Sequence, residues 1–160
     1  MEIGLEGEIA ALLREHGLTI AVAESASGGL ISHLITNVPG SSDYFRGGVV
    51  AYDNEVKVKV LGVSRETLAR YGAVSYQTGE EMAQGVRRLM NTDIGLSDTG
   101  IAGPAGATPE KPAGLFYIGI SSALGTSVVE HIFGGDRLQN KRSAAEVALT
   151  ILKEHLLRLG

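Results

Sequence analysis

Between Leu18 and Val38 the chain changes its hydrophobic period once, and that change restricts the available folds more than any other feature. Leu18 to Ala23 (LTIAVA) is a short, apolar, partly β-branched run, the pattern of a buried strand. It breaks at Glu24 to Ser27, and Gly28 to Val38 (GGLISHLITNV) resumes with helical spacing. Strand, tight loop and helix in this order point to an α/β fold.

The remaining segments extend the pattern. Ile3, Leu5, Ile9, Leu12 and Leu13 share a helical face that ends at Gly17, a left-handed cap. Gly47 to Tyr52 (GGVVAY) reads as a second buried strand, and Ser64 to Tyr71 as a short helix capped by the serine and stopped by Gly72. Thr78 and Glu81 form a capping-box pair opening a helix that runs to about Met90. Ile94 to Ser97 predicts a third strand, and residues 100–112 (GIAGPAGATPEKP) are too rich in glycine and proline for anything but a long loop. Gly114 to Ser121 and Ser127 to Phe133 predict two antiparallel strands joined at Leu124-Gly125. A final helix from Leu138 to Leu159 carries Ala145, Leu149, Leu152 and Leu156 on one face.

Glu55 to Leu61 (EVKVKVL) alternates like a strand, yet Asp53 or Asn54 as a cap and Gly62 as a stop predict a short helix. The difference matters for chemistry: five extended residues carry Lys57 about 16 Å from Tyr52, whereas a helix rises only ~1.5 Å per residue. With 160 residues, 44% hydrophobic and 20% charged, the chain has the size and balance of one globular domain over 1–160. The expected architecture is a three-layer α/β/α sandwich around a mixed, mostly parallel sheet. Ligands of such sheets gather beyond the carboxyl ends of strands, which nominates the loops at 24–28, 52–57 and 98–112.

Composition narrows the chemistry. The absence of cysteine leaves an oxygen or a lysine as the only covalent catalyst. A net charge of −4 gives no basic face for nucleic acid or an anionic membrane. The N-terminal segment is acidic and amphipathic, unlike a signal peptide, and no run reaches membrane-spanning length, so a cytoplasmic protein is expected. No His, Asp or Glu spacing suits a metal, so neither metal nor cofactor is expected.

Ser25 stands between a strand and Gly28-Gly29, where helix-start N–H groups suit an oxyanion or phosphate; capping the helix is its simpler role. The four histidines, His16, His33, His131 and His155, all lie inside or at the ends of regular elements, leaving lysine as the alternative base. Lys57 is the candidate by position, against the ordinary role of a solvated lysine. Tyr52 either relays a proton, holds the lysine or packs in the core. Asp98 and Thr99, followed by the glycine loop with Gly100 and Gly103, either bind a polar group or end the strand. Gly135-Asp136-Arg137 opens the last helix, with Lys141 and Arg142 a turn later; the set suits a phosphate or is plain capping with solvated basic neighbours.

These segments together resemble the CinA C-terminal domain family, whose stand-alone members are nicotinamide-nucleotide amidases. The resemblance covers nearly the whole chain, through AESASGG (23–29), PGSSDYFRGGVVAYDNEVK (39–57), LGV (61–63), GAVS (72–75), TGIAGPAG (99–106), KPAGLFYIG (111–119) and FGGDR (133–137). It implies hydrolysis of nicotinamide mononucleotide to nicotinic acid mononucleotide and ammonia by a cofactor-free homodimer. Ser25 is then the nucleophile, activated by Tyr52 and Lys57. Ser27, Gly28, Gly29, Thr99, Gly100, Gly103, Arg137, Lys141 and Arg142 are implied to line the substrate site. Larger members carry a further N-terminal domain resembling molybdopterin-binding proteins, for which these 160 residues leave no room. The chain departs from the family pattern in ESASGG where ESCTGG is usual, in Tyr76 where an acidic residue is common, and in Lys141 where arginine is usual. Those departures keep two rivals in view: a nucleotide-binding or interaction module without hydrolysis, and an amidase for another carboxamide.

Overall fold

The structure, a computed structural model, describes residues 4–159. In chain order the elements are α1 (Gly4–His16), β1 (Ile20–Glu24), α2 (Leu30–Thr36), β2 (Phe45–Val50), α3 (Asn54–Leu61), α4 (Arg65–Tyr71) and α5 (Tyr76–Met90). They continue with β3 (Ile94–Gly100), β4 (Leu115–Ser122), β5 (Gly125–Ile132) and α6 (Arg137–Leu159). Ile3, which the spacing assigned to the first helix, lies outside the described residues. Among the described residues no helix is long and apolar enough to cross a membrane.

The sheet runs β2-β1-β3-β4-β5. β1 pairs in parallel with both β2 and β3, while β3–β4 and β4–β5 are antiparallel. The change of direction follows from the connections. Helices carry the chain back before β2 and before β3, whereas the glycine- and proline-rich loop after β3 has no helix, and a two-residue turn joins β4 to β5.

Alternation along β1 assigns the two layers. Ile20 and Val22 join Ile94, Leu96, Ile118 and Ile120 in a core covered by α1, α2 and α6, with Leu149, Leu152 and Leu156 supplied by the last helix. Ala21 and Ala23 face the other way, toward Leu61, Met82 and Val86 of α3 and α5. That second layer is built for close approach. A Cβ on Gly85 would fall 1.9 Å from the Leu61 carbonyl oxygen, and one on Gly119 would fall 2.8 Å from that of Gly79.

Two local expectations change and a third holds. β2 is an edge strand of alternating burial, not a buried one, because β1 takes the inner position; Tyr52 lies two residues beyond it and is 62% exposed. α5 begins one turn earlier than the Thr78–Glu81 box implies, capped by Ser75, whose hydroxyl accepts the Thr78 N–H. Glu81 instead binds the Ser64 N–H and the Thr67 hydroxyl, tying α5 to α4. Glu55–Leu61 is helical, as its end signals required: Asp53 accepts the Glu55 N–H, Gly62 closes the end at φ +73°, and Lys57 and Leu61, four apart, are its buried residues.

Candidate active site

The loops following β1, β2 and β3 meet beyond the carboxyl ends of the parallel strands around a cavity of about 220 Å3. Ser25, Tyr52, Lys57, Thr99, Gly100 and Arg137 all border it. Ser25 is 7% exposed, and its Oγ has no hydrogen-bond partner among the described residues, so the hydroxyl is left to the cavity. Lys57, in the first turn of α3, is 1% exposed and donates from Nζ to the carbonyl oxygens of Ala51 at 2.8 Å and Tyr52 at 3.2 Å. Burial pulls its pKa below the usual lysine range, opposed in part by Asp98 and Asp53. An uncharged amine has two N–H groups and one lone pair, so two carbonyl contacts leave the third tetrahedral position for a proton to be accepted.

Tyr52 reaches Lys57 through its carbonyl, not through its ring. Its hydroxyl accepts a hydrogen bond from Arg137 Nη2 at 3.2 Å, while Arg137 Nη1 donates to the Gly103 carbonyl at 3.0 Å. Arg137 thus bridges the β2 loop and the glycine loop at the cavity edge, and it has no acidic partner among the described residues. Gly103 enters through that carbonyl and does not line the cavity itself. Thr99 is buried, its hydroxyl donating to the Ala73 carbonyl at 2.6 Å. At Gly100 a Cβ would fall 2.5 Å from the Phe116 ring, so a side chain there is excluded.

The other expected binding residues lie elsewhere. Ser27, Gly28, Gly29, Lys141 and Arg142 border a separate cleft of about 400 Å3 between α2 and α6. Successive residues of a tight loop turn to different sides, so Ser25 and Ser27 do not share a cavity.

The helix start is also not a vacant anion cradle. The Glu24 carboxylate accepts the N–H groups of Gly29, Ile31 and Ser32 at 3.2, 2.8 and 2.9 Å. The Asp98 carboxyl accepts those of Ser25 and Ser27, each at 3.1 Å, and Gly28 N–H binds the Ser25 carbonyl. Of the N–H groups from Ala26 to Gly29 in this loop, only that of Ala26 has no acceptor among the described residues. Ala26 borders the cavity, as does Ala102 of the glycine loop, whose N–H is likewise without an acceptor there.

Two contributors carry weak sequence signals. Glu24 reads only as the break after an apolar strand. Asn140, one turn into α6, is buried and donates from Nδ2 to the Ala102 carbonyl at 2.9 Å while its Oδ1 accepts the Gly135 N–H at 3.0 Å. It holds the glycine loop against α6.

Comparison with known proteins matches this architecture. The model of the CinA C-terminal domain matches residues 2–156. A CinA-like protein of Kosmotoga olearia is 51% identical over 158 residues, covering 99% of this chain and 38% of that protein. A CinA-like protein of Dictyoglomus thermophilum is 50% identical over 158 residues, with the same coverage of each. The chain therefore spans about 38% of the length of these curated relatives. Among solved structures, a competence-damaged protein (CinA) superfamily protein from Enterobacter cloacae aligns with TM-score 0.91 and 32% identity, covering 95% of this chain and 90% of that one. Another from Klebsiella pneumoniae aligns with TM-score 0.93 and 30% identity, covering 96% of each. With a family model spanning nearly every residue, and with relatives and solved structures that agree on it, the chain belongs to the CinA C-terminal domain family.

Proposed function

We propose that this domain is an amidohydrolase that converts nicotinamide mononucleotide to nicotinic acid mononucleotide and ammonia, with Ser25 as nucleophile and Lys57 as base. The observation that carries the reading is the pairing, on one cavity, of an unbonded serine hydroxyl with a buried lysine amine held by two carbonyls. In the first half-reaction Lys57 takes the Ser25 proton as Oγ attacks the carboxamide carbon, forming a tetrahedral oxyanion. The N–H groups of Ala26 and Ala102 are the donors available to that oxygen. Lys57 returns the proton to the amide nitrogen, the C–N bond breaks and ammonia leaves. Water, deprotonated by the same amine, then attacks the acyl carbon; as the C–Oγ bond breaks Lys57 returns that proton to Ser25 Oγ, and the acid product leaves and ionises to the carboxylate.

The cavity supports a divided substrate. At about 220 Å3 it is smaller than the ~300–1,000 Å3 typical of enclosing ligand pockets, so it suits a ring and its carboxamide, with the ribose phosphate directed outward. Arg137, at the edge and without an acidic partner among the described residues, is the group suited to that phosphate.

The test is ammonia release from nicotinamide mononucleotide by the purified chain. Ser25→Ala and Lys57→Met are each expected to lower turnover by at least ~10³-fold with folding retained. Near-normal turnover in either variant removes that residue from the mechanism. Ligand-dependent thermal stabilisation of the parent without ammonia would replace hydrolysis by binding.

A further inference from the structure

Below the Ser25 loop lies a buried polar group that the reaction steps above do not use. Glu24 at the end of β1, Ser27 in the loop and Asp98 within β3 are all buried. Ser27 Oγ lies 2.6 Å from Glu24 Oε1 and also contacts Asp98 Oδ1 at hydrogen-bond distance. A hydroxyl carries one proton. It donates to one of these oxygens, and its second contact is a hydrogen bond only when the other carboxyl brings a proton of its own. Two bare carboxylates on one hydroxyl, away from water, would set lone pairs against each other.

The surroundings of the two acids say which one keeps the proton. Glu24 receives three backbone N–H groups at the start of α2, where the helix end favours negative charge. Asp98 receives two, and burial, followed by the Glu24 charge, pushes its carboxyl up to about 6 against the opposing hydrogen bonds from Ser27 and Ser25. The charged groups acting on it are Glu24 from β1 and Lys57 from α3. β4 sets Ile118 beside it; Asp98 shares the face of β3 that carries Ile94 and Leu96, which α6 covers with the uncharged Ala145 and Ala148, while the basic Lys141 and Arg142 of that helix border the cleft on which Ser27 lies.

We propose that Asp98 and Glu24 hold one proton between them through Ser27, ordered from Asp98 to Ser27 to Glu24, and that this chain fixes the backbone carrying Ser25. Asp98 and Ser27 are then positioning residues. By engaging the N–H groups on either side of Ala26, Asp98 leaves the Ala26 N–H and the Ser25 hydroxyl for the cavity. A neutral Asp98 also withdraws the negative charge that favours a protonated Lys57. The positioning claim rests on Ser25 being the nucleophile; the proton chain does not.

The experiment follows side-chain carboxyl carbons of isotopically labelled protein by NMR across pH, in the full chain and in Ser27→Ala and Ser27→Thr, beside ammonia release. In the parent, one proton of the pair is expected to be lost well above the ~3.9 of a free aspartate. Ser27→Ala should move that midpoint downward, because the singly protonated pair loses two hydrogen bonds through the hydroxyl and the fully ionised pair only one, and lower kcat by roughly 10–100-fold with KM within about twofold. Ser27→Thr, which keeps the hydroxyl, should restore both. Full ionisation of both acids down to the ordinary carboxylate range in the parent, or an unmoved or raised midpoint in Ser27→Ala, overturns the proton chain. A moved midpoint with unchanged kcat overturns the positioning role. A parent that titrates as expected but releases no ammonia refutes the amidase reading while sustaining the shared proton. The parent titration and Ser27→Thr keep the test decisive even where Ser27→Ala fails to fold.

Discussion

Asn140→Ala tests how the glycine loop is held. Two hydrogen bonds disappear with the side chain, and their partners fare differently. Gly135 is exposed, so its N–H turns to water and the loss is the ordinary net value of about 1 kcal/mol. Ala102 is only 4% exposed, so its carbonyl stays dry without a donor, at a cost of about 2 kcal/mol. The sum, about 3 kcal/mol, corresponds to a fall in Tm of roughly 6–12 °C for a domain of this size. Relaxation of the loop also moves Ala102 and the Gly103 carbonyl that anchors Arg137; a displacement of about 1 Å lowers turnover on the order of 100-fold. Asn140→Asp separates the two bonds, since it can still accept from Gly135 but turns an anion toward the Ala102 oxygen. Thermal melting, ammonia release and hydrogen exchange across residues 102–106 read the outcome. If Asn140→Ala melts within about 2 °C of the parent and retains its turnover, the loop is held by something else and the reasoning is wrong.

Gly85→Ala forces a methyl to within 1.9 Å of the Leu61 carbonyl oxygen, a backbone atom that cannot swing away. It should cost about 1–3 kcal/mol or more in urea unfolding and reduce turnover by shifting α3, the carrier of Lys57. His155 is buried against Ser122 Oγ at 2.6 Å with Nδ1 unpartnered, and burial, then Arg158, holds its pKa below the ordinary imidazole value. Its contribution is complete above the unfolded value of ~6.5 and is lost as pH falls through the lower folded value. Asp98, raised to about 6, slopes the opposite way, so the comparison is between parent and variant: urea unfolding of His155→Gln should lose less stability between pH 7 and pH 5 than the parent does. Arg137→Ala should raise KM for nicotinamide mononucleotide by tenfold or more, about what loss of a charged phosphate contact costs, with a smaller change for the unphosphorylated riboside. Equal effects on both substrates would place the phosphate elsewhere.

Elements whose ends are marked by local chemistry were legible in the sequence. α3 is the clearest case, since its interior alternates like a strand while Asp53 and Gly62 state its limits. What depends on neighbours was not. GGVVAY is apolar enough for an inner strand, and nothing within it says that β1 would occupy that place. Thr78 and Glu81 have the spacing of a capping box, but Ser75 lies one turn earlier and the glutamate is needed by α4. In the candidate site, Ser25, Tyr52, Lys57, Thr99, Gly100 and Arg137 meet because strand ends gather at one rim, a rule that sequence order conveys. Which side of the 25–29 loop each residue faces is set by single backbone torsions, so Ser27 was grouped with Ser25 although it points into the acidic pair.

Glu24 occupies the start of α2 from within, and a guest molecule therefore meets a spent dipole instead of an open one. On the proposed reading, the substrate's anion finds its countercharge on side chains more than a hundred residues further along, at the opening of α6. Exchanging a basic residue there can retune which guest is admitted while the loop bearing Ser25 stays as it is, because the two tasks share no hydrogen bond among the described residues.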